Sequence, residues 1–86
     1  MEIIDRQQIV NIIVKHLIAN VDGVQAADVD TTKSMADYDA SSLDIVEVVS
    51  SSMRELKISI PRTQFTGLRS IDDLADLFYS VRNPDA

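Results

Sequence analysis

Two adjacent hydroxyls, Ser41 and Ser42, stand in an acidic stretch and are the first candidates for chemistry in this chain of 86 residues. A serine acts as a nucleophile when a neighbouring base accepts its proton, and His16 is the only histidine in the sequence. His16 lies within the apolar pattern of the first predicted helix, and the chain contains no G-x-S-x-G motif. We therefore expect no catalytic residues.

Metal and redox sites lack their usual residues here. The chain contains no cysteine, which excludes thiolate nucleophiles, disulfides and thiolate-bound zinc. Between Asp28 and Asp39 several oxygen-bearing side chains fall at the ligand positions of a twelve-residue calcium loop. However, Lys33 stands where that loop needs glycine, and Asp39 replaces its bidentate glutamate. The sequence predicts no metal site.

Acidic residues are concentrated around the two serines. The chain has 14 acidic and 8 basic residues and a formal net charge of -6. Between Asp22 and Glu47 there are seven acidic residues and one basic residue, Lys33. Such a field attracts basic proteins and repels the phosphate backbone of nucleic acids. We therefore expect protein partners and no nucleic acid.

Helical periodicity predicts an all-α fold. We expect a first helix over residues 5–20, a second from Ser41 or Ser42 to Lys57, a short third over residues 62–66 that Gly67 ends, and a last helix that Asn83-Pro84 closes. Three capping pairs mark the starts of the longer helices: Asp5 with Gln8, Ser41 with Asp44, and Ser70 with Asp73. The predicted architecture is a small antiparallel bundle of three longer helices plus one short helix.

The connection between the first two helices, residues 22–40, is long for a compact domain. Loops of this length are usually functional, so we expect a role in recognition. Val24, Val29 and Met35 are its apolar residues that we expect to contact the core.

The second helix carries apolar residues on two sides. Ile45, Val48, Val49 and Leu56 follow the helical period of a buried face, whereas Leu43 and Val46 lie near the opposite edge. An exposed apolar pair beside Asp44 and Glu47 is what a transient partner with a basic rim binds. The alternative interpretation is a set of scattered surface side chains.

The length of the chain allows one domain, residues 1–86, and leaves no room for a deep catalytic cavity. Its most apolar stretch, residues 9–19, is interrupted by polar residues and is too short to span a membrane. The first residues lack the basic and cleavage segments of a secretory signal. We therefore expect a cytoplasmic location.

The segment DASSLDIVE, residues 39–47, resembles the attachment motif of acyl carrier proteins, in which Asp-Ser-Leu precedes an acidic helix that contains Val-Glu. Ser42-Leu43-Asp44 and the following Val46-Glu47 match that motif in order and spacing. The resemblance extends over the whole chain: an apolar first helix, a long acidic loop, a serine that opens the second helix, Ile60-Pro61 before a short helix, and an amphipathic last helix.

The resemblance implies a cofactor and partners. In this family a separate phosphopantetheinyl transferase moves 4'-phosphopantetheine from coenzyme A to the serine, and the thiol of the arm carries acyl groups as thioesters. The matching serine is Ser42. Ser41 stands where the family has aspartate and is therefore the rival site. We expect partners to contact the surface formed by Asp39, Ser41, Leu43, Asp44, Val46 and Glu47.

The same resemblance suggests a subclass. Residues 41–58, SSLDIVEVVSSSMRELKI, are more similar to freestanding carriers of polyketide pathways than to carriers of fatty-acid synthases. Polyketide carriers include those that donate an acetyl unit in β-branching cassettes. The expected function is to present acyl groups to polyketide or fatty-acid biosynthetic enzymes. The expected partners are acyltransferases and condensing enzymes, either ketosynthases or enzymes of the 3-hydroxy-3-methylglutaryl synthase type, and the expected state is a monomer.

Two alternatives stay open at this point. One is a peptidyl or aminoacyl carrier of a non-ribosomal peptide pathway, although such carriers are typically less acidic around the motif. The other is an unmodified helical interaction module or a phosphoprotein in which Ser42 is a helix cap or phosphosite.

A carrier must hold its acyl chain between helices or release it to a partner. We expect the lining of any acyl pocket to come from Ile45, Val48, Ile60, Phe65, Leu68 and Leu74. The three serines at positions 50–52 argue against a large apolar pocket and favour a short cargo.

Overall fold

A computed structural model describes residues 4–65 and 70–83 of the protein. Within them lie three α-helices: α1, Arg6–Asn20; α2, Ser42–Leu56; and α3, Ile71–Arg82. The described residues form no strand, and their β-type pairing is an isolated bridge between Ser34 and Ser70. The all-α class is confirmed, whereas the antiparallel direction of the helices stays a prediction.

Each helix begins where the sequence predicts it. The backbone N–H of Asp5 donates to Gln8 Oε1 over 2.9 Å at the start of α1. Ser70 Oγ accepts a hydrogen bond of 3.1 Å from the backbone N–H of Asp73 at the start of α3. These bonds pair N–H groups that have no partner inside the first turn of a helix.

The core lies where the three helices meet. Ile9, Ile13 and Leu17 in α1 are fully buried, and their spacing places them on one side of the helix. They pack in one cluster with residues of the other two helices: Val48, Leu56, Ile71, Leu74, Ala75 and Phe78. The ring of Phe65 meets that of Phe78 edge-on, with centroids 6.4 Å apart. Burial of each large apolar side chain contributes about 1.5–3 kcal/mol.

The predicted short third helix is corrected by the structure. Residues Arg62–Phe65 form a four-residue 3-10 turn, in which the N–H of Gln64 donates to the carbonyl of Pro61 over 3.0 Å. So short a segment closes bonds three residues apart more readily than the four-residue spacing of an α-helix. The predicted end of this element, residues 66 and 67, lies outside the described residues, as does Pro84 beyond α3.

The long loop is more ordered than its sequence predicts. It contains two 3-10 turns, Ala26–Asp28 and Met35–Tyr38. The Tyr38 hydroxyl accepts from the N–H of Asp30 and donates to the carbonyl of the same residue. Two hydrogen bonds from Thr32 hold the pKa of Asp30 below its ordinary value. The loop is therefore closed by its own side chains.

Apolar and backbone contacts fix this loop on the helices. Met35 is buried, and Val24 and Val29 pack partly buried against the core, as predicted. The N–H of Asp72 donates to the carbonyl of Thr31 over 2.9 Å. The loop therefore brings the residues that precede α2 to a fixed position.

Two residues that follow helices have left-handed backbone conformations. Lys57 ends α2 with φ 58°, and Gly23 follows α1 with φ 83°. Glycine adopts a left-handed conformation without steric cost, whereas lysine adopts it at a cost in free energy.

Polar contacts join elements that are distant in sequence. Asn83, after α3, accepts a hydrogen bond of 3.2 Å from the N–H of Ile4 and donates one of 3.0 Å to the carbonyl of Ile4. Arg6 forms ion pairs with Asp72 at 3.3 Å and Asp76 at 2.7 Å. The two ends of the described fold are thus held side by side.

Candidate functional site

Ser41 and Ser42 have different surroundings although both are exposed. Ser41 is the N-cap of α2: its Oγ accepts a 3.1 Å hydrogen bond from the N–H of Asp44. Ser42 is the first residue of the helix, and in the part of the chain that the structure describes its hydroxyl has no hydrogen-bond partner. The cap function predicted for Ser41 is confirmed, and the alternative of Ser42 as the cap is wrong.

The acidic residues of the motif lie before and after Ser42 along the chain. Asp44 Oδ2 accepts a 3.0 Å hydrogen bond from the N–H of Ser41, which completes the predicted capping box. Asp39 is exposed and ends the preceding 3-10 turn with a left-handed φ of 64°. Glu47 accepts a 2.8 Å hydrogen bond from Ser51 Oγ. No basic residue occurs between positions 39 and 47, so the segment that contains Ser42 carries a net negative charge.

The predicted apolar pair is exposed. Leu43 is 82% and Val46 51% exposed, and these are the large apolar side chains most open to solvent among the described residues. They follow Ser42 by one and four positions on the same helix. Apolar area of this kind beside carboxylates can contact a partner with a basic rim.

A cavity of about 390 Å³ opens beside α2. Its lining comes from α2, the long loop, the segment around the 3-10 turn and α3: Met35, Ile45, Val46, Val49, Ser50, Met53, Ile60, Phe65 and Leu74. Its volume lies within the range of small-molecule pockets in proteins, about 300–1,000 Å³. The cavity can therefore hold a small, mainly apolar group.

Four of the six predicted lining residues lie in this cavity: Ile45, Ile60, Phe65 and Leu74. The prediction that Val48 lines the cavity is wrong, because Val48 is fully buried in the helical core. Leu68 lies outside the described residues.

Sequence reasoning missed five lining residues: Met35, Val46, Val49, Ser50 and Met53. Positions 46, 49, 50 and 53 have the i, i+3, i+4, i+7 spacing of a helical stripe, which could have identified them. Met35 lies in the loop, and no periodic signal points to it.

The serines at positions 50–52 have three different environments. Ser50 lines the cavity, Ser51 donates to Glu47, and Ser52 is fully buried and donates to the carbonyl of Val48 over 2.7 Å. Successive helical side chains differ by about 100° in direction, so three neighbours cannot face one pocket. Of the three serines only Ser50 therefore adds a polar group to the cavity wall, and the length of the cargo stays a prediction.

His16 has a structural partner. Its Nε2 lies 3.0 Å from Glu55 Oε1, and Lys15 Nζ lies 2.6 Å from the same oxygen. Hydrogen bonds from Lys15 and His16 hold the pKa of Glu55 below its ordinary value. This cluster joins the second half of α1 to the last turn of α2, at the opposite end of α2 from Ser42.

The site can accept a phosphodiester on Ser42. The hydroxyl is exposed and free, and the N–H groups of Ser42 and Leu43 lie in the open first turn of α2, where no preceding turn supplies an acceptor. The positive end of the helix dipole favours an anion at this position. In residues 4–65 and 70–83, by contrast, no three His, Asp or Glu side chains are grouped as metal ligands are. Over the same residues no helix is both long and apolar enough to cross a bilayer.

Comparisons with known proteins agree with this geometry. The family model of the phosphopantetheine attachment site matches residues 13–78, which is most of the chain. Polyketide biosynthesis acyl-carrier-protein AcpK of Bacillus subtilis (strain 168) is 21% identical over 75 residues, which cover 87% of this chain and 92% of that protein. No solved structure matches the chain significantly.

The family match specifies the cofactor and the type of protein. The cofactor is covalently attached 4'-phosphopantetheine, which contradicts the alternative of an unmodified interaction module. The protein is a carrier without catalytic activity of its own, and its partners include a phosphopantetheinyl transferase and biosynthetic enzymes. The chain belongs to the phosphopantetheine attachment family, as an acyl carrier protein.

Proposed function

We propose that this chain is an acyl carrier protein of a polyketide pathway and that its phosphopantetheine is attached to Ser42. The observation that carries the proposal is the free, exposed hydroxyl of Ser42 at the first position of α2. The neighbouring Ser41 hydroxyl is engaged in the cap of the same helix. The family motif and the free hydroxyl thus favour the same residue.

Modification at this position needs an external enzyme. The Ser42 Oγ attacks the β-phosphorus of coenzyme A, adenosine 3',5'-bisphosphate leaves, and the hydroxyl proton passes to a base of the transferase. The chain contributes an accessible nucleophile, N–H groups beside the new phosphodiester, and acidic residues that attract the transferase. When bound, the cofactor supplies the thiol that this cysteine-free chain lacks.

The proposed role is to carry acyl groups as thioesters between enzymes. Acyltransferases and condensing enzymes would contact the surface around the attachment site, which comprises Asp39, Ser41, Leu43, Asp44, Val46 and Glu47. We place the pathway among polyketide routes because the curated relative is named for polyketide biosynthesis. The finer proposal is the donation of an acetyl unit to a condensing enzyme of the 3-hydroxy-3-methylglutaryl synthase type.

Residues 1–86 form one acyl carrier domain, an antiparallel helical bundle that acts as a monomer in the cytoplasm. The cavity beside α2 holds the acyl chain between encounters with enzymes. Its apolar lining and its position along α2 support this use.

The attachment site is tested by intact mass. The protein and its Ser42→Ala and Ser41→Ala variants are incubated with coenzyme A, magnesium and a broad-specificity phosphopantetheinyl transferase. We expect one phosphopantetheinyl adduct on the wild type and on Ser41→Ala and none on Ser42→Ala. Loss of the adduct in Ser41→Ala alone moves the site by one residue, and no adduct on folded wild type contradicts the proposal.

The cargo is tested on protein isolated from its own source. Intact mass of the modified form distinguishes an acetyl adduct from an aminoacyl adduct, the latter being the mark of a non-ribosomal peptide carrier. We expect a short acyl group. An amino acid on the arm would replace the polyketide proposal with the peptide alternative.

A further inference from the structure

One hydroxyl faces the cavity beside α2. Ser50 lines it together with aliphatic, aromatic and thioether side chains, and in the described lining it is the one side chain with a hydroxyl. A plain hydrocarbon chain needs no such group in the wall that holds it. An apolar cargo therefore does not explain why Ser50 lies in the wall of the cavity.

The Ser50 hydroxyl is free to bind a ligand. Its neighbours on α2 are engaged: Ser51 Oγ donates to Glu47 over 2.8 Å, and Ser52 Oγ donates to the carbonyl of Val48 over 2.7 Å. Ser50 has no hydrogen-bond partner within the part of the chain that the structure describes, and it is half-buried. A hydroxyl that loses water without gaining a partner is destabilising, so its cavity favours a ligand that offers one.

A group attached at Ser42 can reach Ser50. Ser42, Val46, Val49 and Met53 follow the i, i+4, i+7, i+11 spacing of one helical side, and the last three line the cavity. Ser50 lies beside this stripe, eight residues after Ser42, which is about 12 Å along the helix axis. An arm that follows α2 from Ser42 therefore leads directly past Ser50.

We propose that Ser50 is a specificity residue for the cargo and that it hydrogen-bonds an acyl chain that bears an oxygen, as a keto or hydroxyl substituent. The inference rests on the coarser part of the proposed function, a polyketide carrier with an acyl chain on its arm, and not on acetyl donation, because an acetyl unit bears no such substituent. A hydroxyl both donates and accepts, so Ser50 serves a keto oxygen and a hydroxyl equally. Met35 and Met53 in the same wall are flexible and adapt to chains of different shape.

The experiment compares acyl forms of the same length. A broad-specificity transferase loads the protein from octanoyl-, 3-hydroxyoctanoyl- and 3-oxooctanoyl-coenzyme A, and each product is verified by intact mass before its Tm is measured by circular dichroism. The unacylated phosphopantetheinyl form is the reference. Failure to load contradicts the proposed function, whereas only correctly loaded protein bears on Ser50.

We expect the two oxygen-bearing forms to melt about 3–6 °C above the octanoyl form, as one net hydrogen bond predicts for a domain of this size. Ser50→Ala removes this difference, and Ser50→Thr, which keeps the hydroxyl, restores it. Ser51→Ala is the matched control on the same helix, because Ser51 does not line the cavity, and it leaves the difference unchanged.

Three results overturn the inference. Equal Tm values for the octanoyl and oxygen-bearing forms show that the cavity does not select the oxygen. A difference that persists in Ser50→Ala assigns the selection to another group. An equal loss in Ser50→Ala for all forms, including the unacylated one, shows that Ser50 binds the arm or stabilises the helix instead.

Discussion

Ser41 and Ser42 carry the same side chain one residue apart, but only Ser41 is hydrogen-bonded to the helix that begins there. An N-cap hydroxyl pairs an N–H group that otherwise lacks a partner, whereas an exposed hydroxyl at the first helical position pairs none. The structure thus separates a stabilising role from a position that is free for chemistry.

The first prediction follows from this separation. Ser41→Ala is expected to lower the free energy of unfolding by about 1 kcal/mol, and Ser42→Ala to change it by less than about 0.5 kcal/mol. Urea unfolding of the unmodified proteins, with slopes compared between variants, measures both values. Equal losses in the two variants would contradict the assignment of the cap to Ser41.

For single residues of the site, the sequence predicts those features that follow from helical geometry. The exposure of Leu43 and Val46 follows from their angular distance from Val48 and Leu56 on α2, and the structure agrees. The different environments of the serines at positions 50–52 also follow from that geometry, once the three are considered separately. The free state of the Ser42 hydroxyl required the structure, because the capping pair of Ser41 with Asp44 indicates the cap but not whether the next hydroxyl finds another partner.

At the scale of elements, the left-handed residues Lys57, at the end of α2, and Gly23, in the turn after α1, have opposite substitution costs. Lys57→Gly is expected to raise the free energy of unfolding by about 0.5–1 kcal/mol, because glycine adopts the φ of 58° at this end of α2 without strain. Thermal unfolding at equal protein concentration measures the change. A destabilised Lys57→Gly variant would show that the lysine side chain contributes more than its backbone conformation costs.

Gly23→Ala is the matched control. No atom lies within 4 Å of the added methyl group, so its cost comes only from the φ of 83°. We expect a loss of about 1 kcal/mol. An unchanged stability would mean that the turn after α1 relaxes freely.

The contact between α1 and α2 predicts a pH dependence. Hydrogen bonds from Lys15 and His16 lower the pKa of Glu55 below its ordinary value of 4.5. A carboxyl whose folded-state pKa is lowered contributes stability that is present above pH 4.5 and is lost as the pH falls through the folded pKa. Because the Glu55 side chain is 38% exposed, we expect the contribution to be only about 0.2–1 kcal/mol.

Urea unfolding of the wild type and Glu55→Gln at pH 7 and in the range below pH 4.5 tests this. The difference between the two proteins should be present at pH 7 and shrink on acidification. Glu47→Gln is the control, since Glu47 bonds a neutral serine instead of two basic residues. A difference that grows at low pH would contradict the sign.

The elements also show which parts of the fold a sequence specifies. The longer helices have capping pairs and sustained apolar periodicity, so their positions were predictable within one or two residues. The 3-10 turns of the loop and at Arg62–Phe65 span three or four residues and complete hardly one period. Met35 shows the same limit for the cavity, because its contribution depends on how the loop folds back onto the core.

At the scale of the whole molecule, the charge distribution predicts how partners approach. The formal charge of -6 is concentrated in the loop and the first half of α2, around Ser42. We expect kcat/KM for modification by the transferase to fall several-fold between about 0.1 and 1 M salt, because the screening length shortens from about 10 to 3 Å. Samples are withdrawn at intervals at each salt concentration, and the amount of phosphopantetheinyl adduct in each is measured by intact mass.

Two variants locate the effect. Glu47→Gln, near Ser42, should lower kcat/KM at low salt and weaken the salt dependence. Asp22→Asn removes an equal charge at the far end of the loop. We expect it to change kcat/KM and its salt dependence less than Glu47→Gln does. Identical behaviour of the two variants would assign the effect to net charge and not to the surface near Ser42.

The paired hydrogen bonds between Ile4 and Asn83 have a consequence for protein engineering. Because Ile4 and Asn83 are neighbours, a short peptide bridge between these two positions can join them, and new ends can then be opened in an exposed turn such as the one at Gly23. The same adjacency suits insertion into a host chain, because both junctions leave the domain at one point. A cassette of this design could be grafted between the modules of a larger enzyme without separating the host sequences on either side.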